Sequence, residues 1–243
     1  MAKFITLIAG NICAGKTNKV QYIEQHQTHF QEFLTQKELL RIVPEYIDPP
    51  ARKAFYRNRQ ENSIFFEYSC LVHRIARHLD ARGDASEPDD NLYFFDRGII
   101  EAAETFTKNS YEEGCLTISQ FNQYKDIIKM GLDSLGKNHQ QLWLEQLIVY
   151  LEVKDPAILQ ERYTQRRAQT NEESIPLDYF KRINDQYHHF FENINSIYGS
   201  YGVNPPQVLQ LDASINGIRN STYHQKTIDQ IIEKMREMKN APT

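Results

Sequence analysis

Residues Gly10-Asn11-Ile12-Cys13-Ala14-Gly15-Lys16-Thr17 could do chemistry as they stand. They fit G-x-x-x-x-G-K-[ST], a loop whose successive backbone N–H groups turn inward and cradle phosphate oxygens at the positive end of a helix. Lys16 is placed to reach the β- and γ-phosphates, and the Thr17 hydroxyl to hold Mg²⁺. The surroundings suit the reading, because 4–9 is an apolar run of strand type and 17–27 follows with helical periodicity. An ordinary strand–turn–helix loop would not need the Lys-Thr pair.

Two carboxylates and a set of arginines could serve the same chemistry. Tyr93-Phe94-Phe95-Asp96-Arg97-Gly98 closes an apolar strand with an acid and a guanidinium. Beside a phosphate loop, Asp96 could bind Mg²⁺ directly or through water, and Arg97 could neutralise charge on a transferring group. Taken alone, the dipeptide also reads as a surface ion pair. Arg41-Ile42-Val43-Pro44-Glu45 closes another strand, so Glu45 projects from the same edge, where a carboxylate could accept the proton of an attacking hydroxyl. An N-cap or a solvent-facing acid is its other reading. Further on, Arg162 and Arg166 lie one helical turn apart and Arg167 opens a polar segment. A mobile lid could carry these groups to a triphosphate and exclude water. Arginines at a helix end can equally serve its dipole.

Such groups must be held at one edge of a scaffold. Strands are expected at 4–9, 40–44, 92–95, 147–152 and 208–211. Helical periodicity covers 17–27, 63–80, 101–110, 119–135, 156–166, 177–198 and about 227–238. The polar stretches 81–91 and 216–224 read as surface loops. Alternation of this kind predicts βαβ units, a parallel sheet and ligands beyond the carboxyl ends of its strands. The length of 243 residues suits one α/β domain, 1–243, with no linker to divide it. A net charge of −4 argues against a broad nucleic-acid footprint. No membrane span is expected, for want of a run of about 18 apolar residues. The first apolar run is short and leads straight into the loop, so no signal peptide is expected. Cys13, Cys70 and Cys115 show neither zinc nor C-x-x-C spacing and read as reduced thiols in a cytoplasmic setting.

From Phe4 to about Asp212 the chain resembles the deoxynucleoside kinases, on several motifs in the right order. The phosphate loop is similar to the family's G-N-I-G-A-G-K-[ST], and Asp96-Arg97-Gly98 to its E/D-R-S. Phe106-Thr107-Lys108-Asn109-Ser110-Tyr111-Glu112-Glu113-Gly114 resembles the bacterial members' F-A-K-N-L-Y-E-Q-G. Glu172-Glu173-Ser174-Ile175-Pro176-Leu177-Asp178-Tyr179 resembles the lid exit E-x-x-I-P-L-x-Y.

The resemblance implies roles position by position. Glu45 matches the carboxylate that deprotonates the sugar 5′-hydroxyl, Asp96 the metal-linked acid, and Arg97 the arginine near the reacting phosphoryl group. Arg162, Arg166 and Arg167 fall on or beside lid arginines, although Arg167-Ala168 departs from the usual R-G-R. Tyr56 lies eleven residues before Glu67, the family's spacing between its 3′-hydroxyl tyrosine and its base-reading glutamine. Glu172 resembles the acid that joins that tyrosine on the sugar. Arg74 resembles a base-contacting arginine, and Phe106 is placed with the nucleoside. Three departures stand out. Gly98 replaces serine. Glu67 replaces glutamine and becomes acceptor-only when ionised. Ala102 stands where purine- and cytidine-preferring members often carry aspartate and thymidine-preferring ones alanine.

The expectation is therefore an α/β P-loop kinase: a five-stranded parallel sheet, helices on both faces and an arginine-containing lid at about 163–175. It would use Mg²⁺ and move the ATP γ-phosphate to the 5′-hydroxyl of a deoxynucleoside in nucleotide salvage. Deoxyguanosine ranks first, deoxyadenosine second and the pyrimidines lower, because an ionised Glu67 can accept from guanine N1–H and its 2-amino group while Arg74 donates to O6 or N7. Pairing of Glu67 with Arg74 is the competing arrangement and would give broad specificity. A homodimer is implied by resemblance, with 119–135 as a source of interface. A nucleoside monophosphate kinase of thymidylate-kinase type and a catalytically silent nucleotide-binding subunit are the alternatives.

Overall fold

The structure, a computed structural model, describes residues 4–34, 40–82, 92–134, 144–170, 173–215 and 220–241. Five strands, β1 (Phe4–Ala9), β2 (Leu40–Val43), β3 (Leu92–Asp96), β4 (Leu147–Glu152) and β5 (Gln207–Asp212), form one sheet in the order β2-β3-β1-β4-β5. Every pairing is parallel. Successive side chains of a strand point to opposite faces, yet every residue of β3 and β4 is buried. Helices must therefore cover both faces, which is why these strands read as unbroken apolar runs. The edge strands β2 and β5 are more exposed.

Register brings the site together. Ile8 of β1 pairs with Asp96 of β3, and Val43 of β2 pairs with Phe95. Glu45, the Asp96-Arg97 pair and the loop beginning at Gly10 therefore leave neighbouring strands at one level. The chain runs from β1 to β2, back to β3, and then across to β4 and β5. Strand order reverses around β1 and opens a crevice at the carboxyl edge.

The helices are α1 (Lys16–Gln25), α2 (Pro49–Arg57), α3 (Arg59–Arg82), α4 (Ile99–Ala102), α5 (Lys108–Glu112), α6 (Ile118–Ser134), α7 (Pro156–Thr170), α8 (Leu177–Glu192), α9 (Ile194–Ser200) and α10 (Ser221–Asn240). A 3₁₀ segment, Gln27–Phe33, follows α1, and a π-helical turn, Ala103–Thr107, joins α4 to α5. The core gathers Val20 and Ile23 of α1, Leu71 of α3, Tyr124 and Ile128 of α6, Phe180 and Ile183 of α8 and Ile228 and Ile231 of α10 against the sheet.

Several helices depart from the sequence reading. Helix α2 was not expected, although Asp48 caps it by accepting from Ala51 N at 2.9 Å and prolines occupy its first turn. The expected helix 177–198 breaks at Asn193, whose side-chain amide donates to His189 O at 2.9 Å, and resumes as α9. Residues 221–224, expected in a loop, are helical because Asn220 accepts from Tyr223 N at 3.0 Å and caps α10. Most of the expected loop 81–91, and residues 216–219 of the other, lie outside the described residues.

Candidate active site

The phosphate loop is built on a close approach. A Cβ on Gly10 would lie 2.8 Å from Leu151 O, and Gly10 has φ +150°, so only glycine fits. The loop feeds α1, whose first residue is Lys16. Its ammonium is buried and turned inward, donating to Gly10 O and Asn11 O at 3.0 Å each. Burial first, and then the nearby Arg97 charge, push the Lys16 pKa down. An anion in the loop would favour the charged ammonium and so oppose both effects.

Thr17 Oγ1 donates to Asp96 Oδ2 at 2.9 Å. The other oxygen, Asp96 Oδ1, is buried without a hydrogen-bond partner. Burial pushes the Asp96 carboxyl up, and the negative charge of Glu45 adds to this against the pull of Lys16 and Arg97. A buried, unsatisfied carboxylate oxygen beside a threonine hydroxyl fits Mg²⁺, which takes few protein ligands and completes its shell with phosphate and water.

Arg97 is pinned on every side and is 4% exposed. Its Nε meets Glu45 Oε1 at 2.9 Å, its Nη1 meets Glu101 Oε1 and Tyr187 OH at 3.0 Å, and its Nη2 reaches Gly10 O at 3.4 Å. The ring of Phe106 lies 4.0 Å from the guanidinium carbon. The backbone accepts a left-handed φ of +71°, a strained state for arginine that these contacts hold. Glu45 also accepts from Arg74 Nη2 at 3.0 Å. Burial alone would raise the Glu45 pKa, but Arg97, Arg74 and Lys16 outweigh it and hold the carboxyl at about 2. Glu45 is thus ionised at neutral pH.

Beyond Glu45 lies a pocket of aromatic and polar groups. Glu67 and Arg74 project from one face of α3, together with Phe66 and Cys70. The expected Glu67–Arg74 alternative gives way here, because Arg74 pairs with Glu45 and Glu67 takes other donors. Thr107 Oγ1 and Ser110 Oγ each donate to one Glu67 oxygen at 2.8 Å. The π-helical turn ending at Thr107 sets these two hydroxyls, three residues apart, toward α3. Burial pushes the Glu67 pKa up against those two bonds. Arg74 Nε and Nη1 are buried without hydrogen-bond partners. Tyr56 lines the same pocket and lies edge-on to Tyr179, with ring centroids 6.3 Å apart. Its expected companion, Glu172, lies outside the described residues. Ala102 is fully buried and does not line the cavity.

The lid arginines divide. Arg162 Nη2 donates to Ala213 O and Ser214 O at 2.9 Å and to Ile215 O at 3.1 Å, which ties α7 to the end of β5. Arg166 is exposed, lines the cavity and sits 5.2 Å over the Tyr163 ring. Arg167 is exposed and outside the cavity lining.

One cavity of about 1090 Å³ joins the phosphate loop to the aromatic pocket, at the upper end for a small-molecule site. Sequence reasoning missed several residues that shape it: Phe66 and Tyr179 in the pocket, Glu101 and Tyr187 behind Arg97, and Lys19 at the loop end. Lys19 is 1% exposed, its Nζ lies 3.0 Å from His224 Nδ1 and 4.6 Å over the Tyr223 ring, and burial lowers its pKa to about 7. The helical spacing 63, 67, 70, 74 could have flagged the face of α3. No comparable signal marks Lys19 or Tyr187.

A model of the deoxynucleoside kinase family matches residues 6–238. The deoxycytidine kinase of Rattus norvegicus is 26% identical over 197 residues, covering 72% of this chain and 70% of its own length. The deoxycytidine kinase of Homo sapiens is 25% identical over the same shares, and deoxycytidine kinase 2 of Gallus gallus is 23% identical over 72% and 69%.

Proposed function

The chain belongs to the deoxynucleoside kinase family, and from that premise we propose that it transfers the γ-phosphoryl group of ATP to the 5′-hydroxyl of a deoxynucleoside. The observation that carries the reading is the Glu45–Arg97 pair, 2.9 Å apart, inside a cavity with a phosphate loop at one end and an aromatic pocket at the other. A donor seated in the loop and a nucleoside seated in the pocket would meet there.

Phosphoryl transfer asks for positioning and charge stabilisation more than covalent chemistry. Lys16 and Arg97 stabilise charge on the transferring group. Arg166, with Arg167 beside it, supplies the lid's charge, and Arg162, which fixes the helix that carries them, adds its own beside the phosphate loop, where it lines the cavity and reaches Cys13 O at 3.4 Å. Glu45 orients the attacking hydroxyl and takes its proton. Mg²⁺, held by Thr17 and Asp96, would neutralise charge on the phosphates. Tyr56, with Glu172, clamps the sugar 3′-hydroxyl. Residues 1–243 act as one kinase domain, with the lid at about 163–175.

For the base we propose deoxyguanosine first. Glu67 keeps acceptor capacity beyond its two hydroxyl donors, and the unpartnered N–H groups of Arg74 suit O6 or N7. Deoxycytidine is the second reading, favoured by the deoxycytidine kinases among the relatives, since N4–H could meet Glu67 and N3 or O2 could meet Arg74. A monophosphate acceptor is disfavoured because Glu45 already engages both Arg74 and Arg97. A second copy of the chain is the proposed partner: Phe65, Val72 and Leu79, seven residues apart, form a stripe of exposed apolar groups on α3, with Ile118 and Met130 exposed on α6.

The test compares kcat/KM for the four natural deoxynucleosides and their monophosphates, in wild type and Glu67→Gln. Deoxyguanosine best in wild type, with the ranking changed by the substitution, supports the full reading. Deoxycytidine best would move the base assignment, and phosphorylation of monophosphates alone would overturn the proposal.

A further inference from the structure

Tyr187 has no place in the reaction as described, yet its hydroxyl sits at the joint between the phosphate loop and Arg97. It lies 2.8 Å from Gly10 O, and it accepts from Gly10 N at 3.2 Å and from Arg97 Nη1 at 3.0 Å. It also contacts Glu101 Oε1. The ring is clamped by stacking on Tyr150, with centroids 5.3 Å apart, and by the edge of Phe106 at 6.1 Å. Burial pushes the phenol's pKa well above its ordinary value, so the hydroxyl keeps its proton. A phenol has one proton to give and here faces two acceptors, Gly10 O and Glu101.

The other donors around it make the arrangement specific. Lys16 Nζ occupies Gly10 O and Asn11 O, both at 3.0 Å. To reach a triphosphate the ammonium must leave both carbonyls. Asn11 O still accepts from Ala14 N at 3.2 Å. Gly10 O would retain only Tyr187 and the long 3.4 Å contact from Arg97. Glu101, for its part, can spare the phenolic proton, since it accepts from Arg97 Nη1 at 3.0 Å and from Gly98 N at 3.2 Å.

We propose that Tyr187 is a positioning residue that takes over the Gly10 carbonyl when Lys16 turns to the donor triphosphate, its proton moving from the Glu101 side to Gly10 O. No bond to a heavy atom forms or breaks, and the phenol rotates about its C–O bond. Tyr187 thereby removes the penalty of a buried, unsatisfied carbonyl that would otherwise hold Lys16 back. The inference rests on the phosphate-loop reading of the proposed function.

The test measures binding of a non-hydrolysable ATP analogue with Mg²⁺, and separately of the nucleoside, by calorimetry on wild type, Tyr187→Phe and Tyr187→His. Tyr187→Phe is expected to weaken the analogue about tenfold and leave nucleoside affinity unchanged. Tyr187→His, which can donate an N–H to the same carbonyl, should recover most of the loss. Analogue affinity unchanged in Tyr187→Phe overturns the proposal. So does equal weakening of analogue and nucleoside in both variants, which marks a structural role. A wild type that binds no analogue overturns the phosphate-loop reading itself, and that outcome is distinct from the others.

Discussion

Glu45→Gln removes the one anion shared by two buried guanidiniums. In the folded chain Glu45 is held at about 2, against an ordinary 4.5, because Arg97, Arg74 and Lys16 outweigh the burial that would raise it. A depressed carboxylate contributes stability that is complete above about pH 4.5 and is lost as the pH falls toward 2. By linkage the contribution is about 3 kcal/mol at pH 7 and about 1.4 kcal/mol at pH 3. Glutamine can still accept from Arg74, but Arg74 loses its ion-pair partner while Arg97 keeps Glu101. The variant should therefore melt about 10 °C lower at pH 7, given about 2–4 °C per kcal/mol for a chain of this size. Urea unfolding should show the gap to wild type narrowing by about 2 kcal/mol between pH 7 and pH 3. Because glutamine cannot take the hydroxyl proton, kcat should fall about a hundredfold or more with little change in nucleoside KM. A stability gap that stays constant across that pH range would refute the charge argument, and wild-type turnover would refute the role of Glu45.

Other substitutions probe separate parts of the account. Lys16→Ala should keep the fold, checked by circular dichroism, and lower kcat about a hundredfold or more, since a charge aimed at the transferring phosphate is lost. Lys19 is held at about 7 by burial against 10.5, so its destabilisation is full below pH 7 and fades as the pH rises toward 10.5. Lys19→Met should accordingly stabilise the protein in urea by about 2 kcal/mol more at pH 7 than at pH 9. A Cβ on Gly98 would lie 2.8 Å from Leu7 Cδ2 and 3.3 Å from Glu145 Oε1, so Gly98→Ala should cost about 1–3 kcal/mol in urea unfolding and leave the nucleoside KM unchanged.

The same geometry shows what a linear reading can reach. The three inner strands were legible because a parallel sheet covered on both faces demands unbroken apolar runs, and those runs stand out as 4–9, 92–95 and 147–152, whereas the two edge strands are shorter or more polar runs. Glu45, Asp96 and Arg97 were legible because each directly follows or ends such a run, and register then sets them level with Gly10. Helix α2 and the start of α10 escaped notice although their caps, Asp48 and Asn220, are local signals: the polar residues around them read as loop. The partners of Glu67 were hidden for a different reason. Thr107 and Ser110 reach it across 40 and 43 residues, and a π-helical turn, which side-chain periodicity does not announce, sets their direction. Tyr187 is 177 residues from Gly10 and 86 from Glu101, so its role exists only once α8 packs against the sheet.

The central claim is transfer to the sugar 5′-hydroxyl. Phosphorus NMR of the product formed from ATP, Mg²⁺ and deoxyguanosine tests it most directly. Besides the resonances of ADP, the account predicts one new resonance, that of the nucleoside 5′-monophosphate, growing in step with them. Phosphate at the 3′ position, or ADP accompanied only by inorganic phosphate, would contradict it.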